Sequence, residues 1–366
     1  MTIPDFKLER FFAKYEFTTQ YSLCSSDCES VSINDLIQMN PNLSDSLLSL
    51  NLGYTESMGH PDLRREISSL YKNGSSDQVL ICSGAQEAIF LIFQTLFRPS
   101  DHIIVQFPSY QSLYDVAKSN NIEVTLWDVN PEDEWNLDFN FLENSIKANT
   151  KAIVVNFPHN PTGSMISRQN LRKLTDIASK YNVLLVSDEV YRFSEFNHQD
   201  QFSMFEKFEN SISIGVMSKS FGLAGLRIGW IITKNKEIFE KLSSFKDYTT
   251  ICNSGPSEIL AIAALQSKES ILKRNLEIIK SNLKILDKFF KNNTSFSWIR
   301  PKAGTICFPQ FNDSSDITDL SKKLRVEVGV LILPGSKFNY KNNFFSIGFG
   351  RINFKEAFKL FEDFVT

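Results

Sequence analysis

Cysteine and positive charge are both scarce in this sequence, and each scarcity excludes a class of protein. The 366 residues include five cysteines, of which only Cys24 and Cys28 lie close together. No second pair of Cys or His stands nearby to complete a zinc site, so we predict free thiols in a reducing compartment and no metal. The formal net charge of −3 provides no basic stripe of the kind that nucleic-acid binding requires.

Long hydrophobic runs are also missing. No stretch of about 18 apolar residues is present, as a membrane-spanning helix would need. The stretch "MTIPDFKLERFFAKYEF" mixes charges with aromatic side chains and lacks the unbroken apolar core of a signal peptide. We therefore expect a cytoplasmic protein with no membrane partner, and its length favours two domains over one.

Short apolar runs alternate with longer amphipathic stretches over much of the chain, which predicts a mostly parallel α/β sheet. From about residue 256 the pattern changes to long helices and short strand-like pieces, which indicates a smaller α+β domain. We assign residues 1–45 to an N-terminal segment packing with the small domain, 46–250 to the large domain and 251–366 to the small domain. The predicted strands lie at residues 78–82, 102–106, 122–126, 152–156, 183–187 and 211–217.

Small and polar residues follow these apolar runs, at the end of the strands where open α/β sheets bind their ligands. Gly84 permits a close approach to a ligand, and the helix predicted after it would aim free N–H groups at an anion. Asn160 lies in the rigid loop "FPHNPTG", which is either a functional loop or an ordinary turn. Asp188 ends a very apolar strand, where a carboxylate is costly unless it is paired. Tyr110 is either a core ring or a flat cover for a planar ligand.

Two cations, Lys219 and Arg227, stand eight residues apart in a segment that otherwise reads as buried. Desolvation lowers the pKa of a lysine and makes it a nucleophile toward carbonyl groups, and arginine suits bidentate contact with phosphate. Combined with the residues after the other strands, these features match the needs of one ligand, pyridoxal 5'-phosphate (PLP).

The motifs "NFPHNPTG", "SDEVY" and "SKSFGLAGLRIGW", in their order and spacing, resemble those of class I and II aminotransferases, which are fold type I PLP enzymes. The resemblance extends from about residue 20 to the C-terminus. It implies a three-layer large domain around a mostly parallel sheet, with a smaller α+β domain. It further implies a homodimer with shared active sites, in which Tyr54 reaches the phosphate of the neighbouring subunit.

The resemblance also implies a role for each matching residue. Lys219 resembles the Schiff-base lysine, and Asp188 resembles the carboxylate that keeps the pyridine nitrogen protonated. Tyr191 and Asn160 match the groups that bind the cofactor's phenolate oxygen, and Tyr110 matches the stacked ring. The implied catalytic residues are Lys219, Asp188 and Tyr191. The phosphate-binding residues would be Gly84, Ala85, Gln86, Ser218 and Arg227.

Two positions depart from the family pattern. Val216 stands where a Ser or Thr commonly binds the phosphate. Ser346 stands where an arginine commonly binds the α-carboxylate of the substrate, and Arg351 follows five residues later. We expect Arg351 and Asn160 to contact the substrate.

The predicted activity is transfer of an amino group between an amino acid and a 2-keto acid through an aldimine on Lys219. The alternative is another PLP-dependent reaction on an amino acid, namely a lyase, a cyclase or a β/γ-replacement reaction. A regulatory domain is disfavoured, because no helix-turn-helix pattern precedes the motifs. A nicotinamide-dependent dehydrogenase is also disfavoured, because no G-x-G-x-x-G follows the first strand.

Overall fold

The computed structural model describes residues 3–197, 202–340 and 343–366. Its largest sheet contains seven described strands, which are β2 (Val79–Cys82), β3 (His102–Phe107), β4 (Glu123–Asp128), β5 (Thr150–Asn156), β6 (Leu184–Asp188), β7 (Ser211–Val216) and β8 (Gly229–Thr233). Their order across the sheet is β2-β8-β7-β6-β5-β3-β4. Strand β8 runs antiparallel to both of its neighbours, and the remaining pairs are parallel. This arrangement confirms the predicted fold class.

The central strands are buried on both faces, which is why they read as continuous apolar runs. Successive side chains of a strand point to opposite faces. Accordingly, Val154 belongs to one hydrophobic cluster, whereas Ile153 and Val155 belong to another. Helices cover both faces of the sheet and complete these clusters. The helices up to the end of the sheet region are α1 (Lys7–Tyr15), α2 (Ile33–Met39), α3 (Leu43–Leu48), α4 (Pro61–Ser68), α5 (Ala85–Thr95), α6 (Ser112–Ser119), α7 (Phe139–Ser145), α8 (Arg168–Lys180), α9 (Met204–Lys207) and α10 (Lys236–Lys246).

The C-terminal part of the chain consists of longer helices and short strands around an aromatic core. The ring of Phe361 lies within 6.2 Å, between centroids, of the rings of Phe289, Phe296, Phe345 and Phe358. The helices are α11 (Gly255–Gln266), α12 (Lys268–Asn292), α13 (Ile317–Lys323) and α14 (Phe354–Val365). No helix in the described ranges is both long and apolar enough to cross a membrane.

The N-terminal segment is joined to this C-terminal part by backbone pairing. Its strand β1 (Tyr21–Ser22) runs parallel to β12 (Val330–Leu331), and the Leu23 carbonyl accepts a hydrogen bond of 2.6 Å from the Gly348 amide. Helix α1, which precedes β1, contacts both parts of the chain: the Glu9 carboxylate accepts a hydrogen bond from Tyr110, and the Lys7 amine donates one to Asn339. The remaining strands are β9 (Phe296–Ser297), β10 (Ile306–Cys307), β11 (Gln310–Phe311), β13 (Leu333–Pro334) and β14 (Phe345–Gly348).

Candidate active site

A cavity of about 610 Å³ lies at the carboxyl ends of the parallel strands. Neighbouring strands of the sheet end beside this cavity, so residues that are far apart in sequence meet at one edge of the sheet. Among the described residues that line it, those predicted from the sequence are Ala85, Gln86, Tyr110, Asn160, Asp188, Tyr191, Ser218, Lys219 and Arg227. Gly84 lies at the start of α5, directly before Ala85.

Lys219 lies in the loop after β7, with its amine inside the cavity. Its Nζ donates a hydrogen bond of 2.8 Å to Ser26 Oγ and lies 5.6 Å from the centre of the Tyr191 ring. The expected lowering of its pKa is wrong for this structure. Burial alone lowers the pKa of Lys219, but Tyr191, Asp27 and Glu9 raise it, and the net direction is upward. Tyr191, Asp27 and Glu9 together therefore favour the protonated amine.

Asp188 is the last residue of β6 and is 4% exposed. Burial raises its pKa to about 7, while a hydrogen bond from the Val190 amide and the charge of Lys219 act in the opposite direction. The ionised form of a buried carboxyl group is stabilised most by a cationic N–H donor within hydrogen-bond distance. A protonated ring nitrogen is such a donor.

Asn156 fixes the position of two predicted residues at once. Its side-chain Oδ1 accepts a hydrogen bond of 2.7 Å from the Asn160 amide. Its Nδ2 donates one of 2.8 Å to the backbone carbonyl of Asp188. The loop after β5 and the end of β6 are thereby held in one fixed relation.

Two buried polar atoms in the cavity wall lack hydrogen-bond partners among the described residues. They are Asn160 Oδ1 and the Tyr191 hydroxyl oxygen, although Ser26 and Lys219 lie close to Tyr191. The two side chains are 8% and 1% exposed. Leaving such an atom unpaired costs about 1–3 kcal/mol, so Asn160 Oδ1 is placed to accept a hydrogen bond from a ligand hydroxyl, and the Tyr191 hydroxyl is placed to donate one to a ligand oxygen.

The start of α5 forms an anion cradle. Gly84 has φ +80°, and a Cβ added there would lie 2.5 Å from Arg227 Nη2. Glycine therefore lets the Arg227 guanidinium approach the backbone that leads into Ala85 and Gln86, whose N–H groups belong to the unpaired first turn of α5. Ser218 adds a hydroxyl to the same cavity wall. This arrangement suits a phosphate group.

Helix α1 covers the cavity, which the sequence reasoning missed. Phe6, Glu9, Phe12 and Glu16 line it, and the Tyr110 hydroxyl donates a hydrogen bond of 2.6 Å to Glu9 Oε1. These four wall positions are spaced by three or four residues, which is helical periodicity. That pattern is the signal that marks one face of α1, but it does not show which part of the chain the face contacts.

Besides Gly84, which adjoins the lining residue Ala85, two predicted residues lie outside the cavity lining. Tyr54 is 90% exposed. Arg351 donates hydrogen bonds of 2.9 and 2.8 Å from Nη2 to the two carboxylate oxygens of Asp27. Asp27 lines the cavity, so Arg351 stands behind an acidic residue and does not face the cavity directly. Ser346 is fully buried, and its hydroxyl has no partner among the described residues.

The cavity thus fits PLP on its own geometry. The cradle at Gly84 accommodates a phosphate. A phenolic hydroxyl can donate to Asn160 Oδ1 and accept from the Tyr191 hydroxyl, and Asp188 accommodates a protonated ring nitrogen. The amine of Lys219 is inside the same enclosure.

Comparisons with known proteins agree with this fit. A family model described as aminotransferase class I and II matches residues 18–358. Capreomycidine synthase of Streptomyces vinaceus is 27% identical over 339 residues, covering 92% of this chain and 87% of that protein. A probable aminotransferase of Arabidopsis thaliana is 31% identical over 325 residues, covering 82% of this chain and 78% of that protein.

A solved structure gives the same result. The PLP-dependent aminotransferase of Streptococcus suis has a TM-score of 0.95 and 31% identity, over 100% of this chain and 98% of that one. The chain therefore belongs to the family of class I and II aminotransferases, which are fold type I enzymes that use pyridoxal 5'-phosphate.

Proposed function

We propose that the protein is an aminotransferase that moves an amino group between an amino acid and a 2-keto acid, with Lys219 as the residue that holds the cofactor covalently. The observation that carries this proposal is the enclosure of the Lys219 amine and the Asp188 carboxyl in one cavity that also contains an anion cradle. Bound PLP supplies an aldehyde that condenses with amines and a ring that draws electrons away from the substrate's α-carbon.

The residues of the chain bind and orient the cofactor and move the proton of the substrate. Asp188 holds a proton on the ring nitrogen, which keeps the ring electron-withdrawing. Asn160 and Tyr191 orient the phenolic oxygen, and Arg227 binds the phosphate. Once released from its covalent attachment, the Lys219 amine removes and returns the proton at the α-carbon, because it is the basic group in the cavity with a flexible stem.

A second candidate is a different reaction on the same cofactor, a lyase, cyclase or β/γ-replacement reaction. It is favoured by the 27% identity to a protein named as a synthase and by Ser346, which carries no charge for an α-carboxylate. Both candidates need Lys219 and Asp188, so the product distinguishes them.

We also propose a homodimer. Large apolar side chains are exposed on two segments, residues 48–54 and 248–251, including Leu48 at 85% and Tyr248 at 85%. The Thr55 hydroxyl donates a hydrogen bond of 3.1 Å to the Asn253 carbonyl, which brings the two segments together. A contiguous exposed apolar patch is typical of a protein interface, and Tyr54 lies within this one.

The function is tested by mixing the PLP-loaded protein with single amino acids. We expect pyridoxamine phosphate and the matching keto acid to form together, measured by chromatography of the released cofactor. Borohydride treatment and peptide mapping should place the pyridoxyl label on Lys219. Lys246 is the internal control, since it is buried but donates to the carbonyls of Ser57 and Ile251. A label on Lys246, or a product other than a keto acid, would contradict the proposal.

Asp188→Asn should leave the protein folded and slow the removal of the α-proton by at least about 100-fold, the lower end of the range for proton-transfer catalysis. The reason is that an amide does not stabilise a proton on the ring nitrogen. Exchange of the α-hydrogen with deuterated water measures this step. Asp128→Asn, at the exposed end of β4, is the matched control. Equal exchange rates in the two variants would rule out the role of Asp188.

We propose that Arg351 exchanges Asp27 for the α-carboxylate of the substrate when the substrate binds. On this proposal Arg351→Ala should raise the KM for an amino acid by roughly 10- to 100-fold, the value of one charge-assisted contact. The KM for an amine that has no carboxylate should change less. Asp27 accepts hydrogen bonds from Arg351 and would therefore compete with the carboxylate of the substrate. Asp27→Asn should accordingly lower the KM for the amino acid or leave it unchanged. If Arg351→Ala affects both substrates equally, the carboxylate is bound elsewhere.

Sedimentation at micromolar concentration should show a dimer. Tyr54→Phe should keep the dimer but release PLP more readily on dialysis, because the partner's phosphate loses one hydrogen-bond donor. Tyr181→Phe is the control, since the Tyr181 hydroxyl contacts Glu143 on the exposed surface. A monomer that retains PLP as tightly as the wild type would overturn the shared-site proposal.

A further inference from the structure

The described residues that line the cavity carry more negative than positive groups. The acidic ones are Glu9, Glu16, Asp27 and Asp188, and the basic ones are Lys219 and Arg227. Most of these have a partner or a role: Asp27 is paired with Arg351, whereas Asp188, Lys219 and Arg227 belong to the cofactor site. Glu9 and Glu16 are not assigned to cofactor binding, and neither has a role in the proposed transamination.

These two acids occupy one wall of the cavity. They are seven residues apart, about two helical turns, so they lie on the same face of α1 and its C-terminal cap. Glu9 Oε1 accepts the hydrogen bond from Tyr110, which leaves its second oxygen available. No donor among the described residues hydrogen-bonds to the Glu16 carboxylate. Burial raises the pKa of Glu16, and Asp27 raises it further, although Arg351 partly counteracts this.

The N-terminal end of α1, which carries Glu9, is held by hydrogen bonds to other parts of the protein before any ligand binds. The Lys7 amide donates a hydrogen bond of 2.9 Å to Gln111 Oε1, and Gln111 Nε2 donates one of 3.0 Å to the Asp5 carbonyl. The Lys7 amine donates one of 2.6 Å to Asn339 Oδ1. Asp5 and Lys7, at the N-terminal end of α1, are thereby attached to the body of the protein. A preorganised charge discriminates between ligands more strongly than a mobile one.

An independent feature of the same cavity points to a ligand. Asn160 Oδ1 and the Tyr191 hydroxyl are buried without partners among the described residues, and both side chains line the cavity that Glu9 and Glu16 also line. The cavity is therefore built to be filled on its cofactor side. Glu9 and Glu16 line the same cavity, so they are open to a substrate that enters it.

We propose that the amino-acid substrate carries a positively charged side chain, a guanidinium or an ammonium group, which binds to Glu9 and Glu16. This inference rests on the proposed function and names its substrate class. A neutral side chain would cover the two carboxylates without supplying a donor, which leaves a desolvated charge unpaired. An acidic side chain would be repelled. A cation supplies both hydrogen bonds and the missing positive charge.

The test uses ligands that cannot react, so that binding is measured separately from turnover. δ-Guanidinovalerate lacks an α-amine, and δ-ureidovalerate is its uncharged isostere. Calorimetric titration of the PLP-loaded enzyme should show the guanidino compound binding at least about tenfold more tightly, which is the lower value of a charge-assisted contact. Lysine against norleucine in the half-reaction provides the corresponding comparison for an ammonium group.

The preference should be lost in Glu16→Gln and reduced in Glu9→Gln, and retained in Asp5→Asn. Gln at position 9 still accepts the bond from Tyr110, so α1 stays in place. Asp5 precedes the same helix but does not line the cavity, so its variant controls for the loss of one negative charge. Melting temperature and PLP content confirm that each variant is folded.

Equal binding of the two valerates, or a preference that survives both glutamate substitutions, would overturn the inference. So would tighter binding of a dicarboxylate such as glutarate. If the guanidino preference holds but no amino acid yields a keto acid, the inference stands and the proposed transamination fails. If transamination occurs without the preference, the reverse conclusion follows.

Discussion

The side chain of Asn156 is the contact on which the arrangement of the site depends. It lies at the end of β5, opposite Asp188 in the neighbouring strand, and it bonds to the backbone of Asp188 on one side and of Asn160 on the other. Both bonds are buried, where an amide that lost either one would be left unpaired at a cost of about 1–3 kcal/mol. The end of β6 at Asp188 and the loop that carries Asn160 are therefore held in one fixed relation.

The grouping of the residues at the strand ends could be predicted from the sequence, because the carboxyl ends of parallel strands lie at one edge of a sheet. Asn160, Asp188 and Lys219 each follow an apolar run, and the order of the runs was enough to group them. The antiparallel strand β8 gave no distinct signal, since its apolar residues look like those of the parallel strands. Its role is visible only in space, where Gly229 lies so close to Gly84 that a Cβ at position 229 would lie 2.5 Å from the Gly84 carbonyl carbon.

The acids of α1 could not be placed from the sequence for a different reason. Glu9 and Tyr110 are 101 residues apart, and no local pattern links an amphipathic helix to the loop that it will cover. The direction in which the pKa of Lys219 shifts could not be predicted for the same reason, because it depends on contacts between distant parts of the chain. Reasoning from burial alone gave a lowered value, whereas Glu9 and Asp27, both in the N-terminal segment, act to raise it.

The attachment of α1 also has a consequence for how the molecule is assembled. Its hydrogen-bond partners Tyr110, Gln111 and Asn339 follow it in the sequence by 101, 104 and 332 residues. Each of these contacts closes a loop of the chain, at an entropic cost that grows slowly with the length of the loop. The helix that covers the cavity is thus near one end of the chain, but one of the residues that hold it is near the other end. A chain that ended before Asn339 would lack one of the bonds that keep the helix over the cavity.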